Sequence, residues 1–217
     1  MTKYNFSSLI VAALLILLPL IAAAEPPSFT DTQSTFEQGL RGDEEAVEKA
    51  YAGFRQLVTA QPDNPLYLAY LGAAETLIAR DGWLPWKRIQ YLDKGLDHID
   101  KALTMLGPEH DDQYERLSVI SIETRLVALT TFLKVPSFSN RFQDAKDLFA
   151  ETVEQEVFPK APPEVRQRIY LQGANIAQHE DDRARERKYL KQALDARPGD
   201  NYYARIVKQR LTALTEQ

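Results

Sequence analysis

Residues 85–106 read PWKRIQYLDKGLDHIDKALTML, and the spacing of their apolar side chains decides the fold class. Ile89, Leu92, Leu96, Ile99, Leu103 and Leu106 recur at intervals of three and four residues, which gathers them on one face of an α-helix. Pro85 falls in the first turn, where its missing N–H costs no intrahelical hydrogen bond. The spacing predicts one long amphipathic helix. The same periodicity runs on to either side, and no stretch alternates with a period of two between hairpin-turn signals. The chain therefore reads as all-α.

Turn-forming clusters punctuate the helical segments: QPDNP at 61–65, GPEHDD at 107–112, PKAPP at 159–163 and RPGDN at 197–201. Asp112 and Glu115 have the spacing of a capping box, which predicts a second long helix over 112–134, antiparallel to the one from Pro85. A last helix is expected over 201–216.

Laying the segments over one another brings out a repeat. Ala50, Phe54 and Leu57 lead to Pro62; Ile99, Ala102 and Leu103 lead to Pro108; Ala193 and Leu194 lead to Pro198. Each group reads as the second helix of a hairpin that ends in proline. PLYLAYLG at 65–72 then resembles the first helix of a tetratricopeptide repeat, a family with a period of about 34 residues, and Asp31 to Pro65 is one such step. Leu68 stands where that family prefers tryptophan and Glu75 where it prefers tyrosine. The resemblance implies an α-solenoid of antiparallel helical hairpins, about four of them over residues 25–217, closed by a C-terminal capping helix.

Both tryptophans bracket Pro85. Gly95 takes the small-residue place of the repeat's second helix but stands about 11 positions late, close to three turns at 3.6 residues per turn. An insertion of that length keeps the apolar face in phase and lengthens the helices. Trp86 is expected to fill the joint between them, beside Ile89, Leu129, Phe132 and Leu133. Trp83, in the turn, is a candidate partner contact together with Arg88.

At the N-terminus, Lys3 precedes an apolar run from Leu9 to Ala24 that ends Ala22-Ala23-Ala24 before Glu25. A short apolar run with a small-residue boundary predicts a secretory signal peptide over 1–24, and it falls short of the ~20 residues of a membrane span. Export is the expectation, to the periplasm in a Gram-negative bacterium. With no cysteine the chain has neither disulfide nor thiol for a lipid anchor, so its core must hold it. A net charge of −5 with mixed signs gives no footprint for nucleic acid.

Little else reads as catalytic. There is no GxSxG elbow and no phosphate loop. His110 and His179 lie among acidic residues at interhelix turns, where carboxylates suit caps and helix dipoles, so no metal and no cofactor is assigned. What the resemblance implies instead is a groove lined by the first helix of each hairpin. On the helix over 112–134 the apolar residues form two sets, Val119, Ile122, Leu126, Leu129 and Leu133, then Leu117, Ile120 and Val127. Ser118, Ser121 and Arg125 run between them and should face the groove. Tyr70 from the second hairpin, and Asn175 and Gln178 from the last with Gln172, join them; each amide offers a peptide backbone a donor and an acceptor. The expected function is a non-enzymatic adaptor that binds a protein or peptide through Tyr70, Trp83, Arg88, Ser121, Arg125, Asn175 and Gln178. The alternatives are a carrier or sensor of an apolar small molecule held between the long helices, which a cavity there would favour, and an accessory subunit of an envelope transport or assembly system.

Overall fold

The computed structural model describes residues 26–116 and 118–215. The expected leader over 1–24 and the boundary before Glu25 lie outside the described residues, as does Leu117. The described residues form nine α-helices: α1 Phe29–Leu40, α2 Glu44–Ala60, α3 Pro65–Asp81, α4 Pro85–Thr104, α5 Ile120–Phe132, α6 Phe142–Glu154, α7 Pro163–His179, α8 Arg183–Ala196 and α9 Tyr202–Ala213. One short antiparallel ribbon, β1 Tyr114–Glu115 and β2 Ser118–Val119, precedes α5. Among the described residues no helix is long and apolar enough to cross a membrane.

Local chemistry sets the helix starts. Ser28, Asp43, Asn64, Asp182 and Asn201 each accept a hydrogen bond from a backbone N–H in the first turn that follows, worth about 1 kcal/mol apiece. Asn64 takes two, from Leu66 at 3.1 Å and Tyr67 at 3.3 Å, ahead of Pro65.

Successive helices pack in pairs, most extensively α3 with α4, α7 with α8 and α1 with α2. The α3–α4 pair crosses at two glycines. A Cβ added to Gly72 would lie 2.5 Å from the Gly95 carbonyl oxygen, and one added to Gly95 would lie 2.6 Å from the Gly72 carbonyl oxygen. No larger residue fits that contact. Beside it Glu75 is fully buried, yet its charge is answered from α4 by Lys94 Nζ at 2.8 Å and His98 Nδ1 at 2.7 Å. A carboxylate is thus buried beside the crossing, and α4 supplies its partners.

The core is continuous through α5, which has the two buried faces its sequence predicts. Val119, Ile122, Leu126 and Leu129 pack with residues of α4, α6 and α7, whereas Ile120 and Val127 pack with α1, α2 and α3. On that second side five rings interlock, with Phe54 stacked on Tyr70 at 5.0 Å between centroids and Phe29 on Tyr67 at 5.3 Å. Leu171, Ala174, Leu190, Ala193 and Val207 form a separate core for α7, α8 and α9.

Two expectations fail here. The helix over 112–134 starts only at Ile120, because 114–115 and 118–119 pair as the ribbon; Glu115 is in β1 and forms no capping box with Asp112. Trp86 is not in the core: it is 65% exposed, and Ile89 is 55% exposed. The first turns of α4 are thus left largely uncovered, with Ile89 at the edge of a cavity.

Candidate functional site

A groove of about 1230 Å³ runs between the end of α1, the α5–α6 connection, α7 and α9. Gln172 and Asn175 of α7 form one wall, Tyr202, Tyr203 and Arg210 of α9 the next. These amides are not loose. Asn175 Nδ2 donates to Gln172 Oε1 at 2.9 Å, and Arg210 donates to Asn175 Oδ1 at 2.6 Å and to Gln178 Oε1 at 3.2 Å. Arg210 also donates to the Ala174 carbonyl and to the buried Glu186 carboxylate at 2.6 Å. One guanidinium therefore ties three helices together and fixes the amide row. Its charge is answered by Glu186, so the bonds to the amides act as orientation rather than as free attraction.

A second polar constellation lies among the first helices of successive pairs. Gln33 Nε2 of α1 donates to Tyr70 Oη of α3 at 2.6 Å and to Glu123 Oε1 of α5 at 2.9 Å, while the Tyr70 hydroxyl donates to the same carboxylate oxygen at 3.0 Å. All three are buried. Burial, with the Glu123 charge behind it, pushes the Tyr70 phenol well above its ordinary range and keeps it a donor. The ribbon closes this network from outside: Arg116 donates to Gln33 Oε1 at 2.7 Å and the Tyr67 hydroxyl donates to Glu115 at 2.8 Å. Arg116 has φ 58°, a left-handed conformation that costs a residue with a side chain roughly 1–2 kcal/mol. From α7, Arg168 sits over the Tyr203 ring at 5.7 Å; burial works against its charge, and Tyr203, Tyr70, Glu123 and Glu37 more than offset that.

A third feature is a cavity of about 420 Å³ between the turn-side halves of α3 and α4 and the α5–α6 connection. Leu77, Ile89, Leu92, Val135, Pro136 and Phe138 give it apolar walls, and Arg80, Arg88 and Lys134 bring cations to it. Of the neighbours expected for Trp86, only Ile89 lines it; Leu129, Phe132 and Leu133 do not.

The expected site residues are scattered by this geometry. Asn175 lines the groove and Gln178 is held beside it through Arg210. Arg88 borders the cavity and donates to the Ala79 carbonyl, and Trp83 is 85% exposed in the turn. Tyr70 and Ser121 are buried, so neither is displayed to a partner, and Ser118 is buried with them. Arg125 is mostly covered and paired with Glu151 at 2.8 Å. Ser118, Ser121 and Arg125 do run between the two apolar faces, but that third side is covered as well, and Arg125 reaches across it to Glu151 of α6. Arg210 and Lys134 were missed: the first acts only once α9 packs back on α7, and the second announces itself only as a lone cation in the apolar run Phe132–Pro136.

The histidines serve separately. His98 pairs with Glu75, His110 Nδ1 accepts from the Gly107 N–H at 3.0 Å, and His179 packs on the Phe142 ring at 4.0 Å. Among the described residues no three of His, Cys, Asp and Glu gather closely enough to hold a metal ion. Compared with protein-family models, with curated proteins and with solved structures, the chain gives no match.

Proposed function

We propose that the chain is an exported, non-enzymatic scaffold of the tetratricopeptide-like helical-hairpin kind, and that it binds an extended peptide segment of a protein partner in the groove between α1, α7 and α9. The observation that carries this reading is the row Gln172–Asn175–Arg210, a set of amides held in register along the groove wall by one arginine. Carboxamides offer donor and acceptor together, which suits a peptide backbone, and side chains already fixed lose little entropy on binding. Tyr202, 65% exposed, and Tyr203 add aromatic surface of the type enriched in such contacts. The apolar leader from Leu9 to Ala24 supports export.

A displayed library of random peptides, selected on the purified protein, tests the reading. Enriched peptides should bind the isolated protein, and Gln172→Ala and Tyr202→Ala should each weaken them by about tenfold, the equivalent of ~1.4 kcal/mol, with melting unchanged. Peptides that bind both variants as well as the parent would place recognition elsewhere.

A further inference from the structure

The cavity between α3, α4 and the α5–α6 connection carries a charge pattern opposite to the chain's net charge. The protein is acidic, with a net charge of −5, yet the residues lining this cavity include three cations and no carboxylate. One of the three is spoken for. Arg80 forks onto Asp81 with bonds of 2.6 and 2.7 Å and donates to the Gly39 carbonyl at 3.0 Å, so it fastens α3 to α1. Arg88 spends only its Nε, on the Ala79 carbonyl at 3.1 Å, and among the described residues neither Arg88 nor Lys134 forms an ion pair. Lys134 stands on the connection opposite α4, and burial together with the neighbouring Arg168 and Arg80 pushes its pKa down. Two cations that form no ion pair among the described residues therefore border apolar walls, a combination suited to an anion with an apolar body.

The apolar part matches in scale and position. About 420 Å³ lies within the range of small-molecule pockets and is too small for a folded element. Phe138 and Ile89, 69% and 55% exposed, leave apolar surface at the rim where a chain would enter. An aromatic anchor of a protein partner would fill the walls, and could meet the cations through its ring face, but it would bring no negative charge to answer Lys134 and Arg88.

We infer that this cavity is a binding site for an apolar carboxylate of the acyl-chain type, its tail along Leu77, Ile89, Leu92 and Val135 and its carboxylate between Lys134 and Arg88. The inference does not rest on the peptide groove and survives or fails without it.

Titration calorimetry of the purified protein tests it, with decanoate below its micelle-forming concentration as the probe and with decanol and the decyltrimethylammonium ion for comparison. Decanoate should bind saturably, at one site, and about tenfold or more tighter than the decyltrimethylammonium ion. Lys134→Ala and Arg88→Gln, neither of which breaks an ion pair among the described residues, should keep the parent's melting curve and lower decanoate affinity by about tenfold each, the loss expected for one charge-assisted hydrogen bond. Decanol binding should not change in either variant. No saturable decanoate binding, equal binding of the cationic probe, or an equal loss of decanol and decanoate in the variants would each overturn the inference.

Discussion

Around Gly72 and Gly95 the backbones of α3 and α4 touch, whereas toward their connecting turn the same two helices border a cavity of about 420 Å³. The first region has no side chain to spare: each glycine excludes even a methyl group from the other's carbonyl. The second has large side chains in plenty, Trp83, Trp86 and Ile89, and all of them stay more than half exposed, Ile89 at the cavity rim. Packing is therefore set by which neighbours reach a helix as much as by the size of its side chains. Leu92, Leu96 and Ile99 are covered by α5 and its neighbours, and the turn above them is not.

That contrast can be broken in order of effect. Ile99→Ala, in the covered half, should cost about 2–5 kcal/mol, because a fully buried branched side chain leaves a hole that its surroundings only partly fill. Denaturant unfolding measures it. Gly95→Ala should cost about 1–3 kcal/mol by forcing the backbones apart at the crossing, and Gly72→Ala should behave alike; a neutral result at both would mean that the two helices slide freely past each other.

The turn-side half should respond in binding and hardly in stability. Lys134 is held below the usual lysine range by burial and by Arg168 and Arg80, and only its protonated form attracts a carboxylate. Decanoate affinity should therefore fall as the pH rises through that lowered pKa, at less alkaline pH than an ordinary lysine would give. Lys134→Arg should remove this fall while keeping affinity at neutral pH, since a guanidinium stays charged throughout. The smallest effect is expected for Trp86→Ala, within about 0.5 kcal/mol, since most of the ring is already in water. A loss of several kcal/mol there would restore Trp86 to the joint and remove the cavity with it.

Much of the helical pattern was legible because it depends on neighbours in sequence. The face of α4 and the two apolar sides of α5 follow from spacing that a single helix imposes. The ribbon at 114–119 was not legible: its strands are two residues each, and Arg116 adopts φ 58° without the glycine or asparagine that would have announced the turn. Trp86 misled for a related reason. Periodicity places it on the same side as Ile89 and Leu92, but no spacing tells whether another element extends far enough to cover that side. Among the site residues, Asn175 and Gln178 could be read from helix phase, whereas the arginine that orients them comes from a helix 32 residues further on in sequence from Gln178.

The hydrogen bond from Gln33 to Glu123 joins residues 90 positions apart. In arrays where each helical pair touches only the next, units can be added or trimmed one at a time, because an end unit shields nothing beyond its neighbour. Here α1 reaches past the second pair and holds a carboxylate of α5 under cover. Deleting α1 and α2 would thus strip one of two donors from a buried carboxylate two pairs away, so the first pair is not independent of the third.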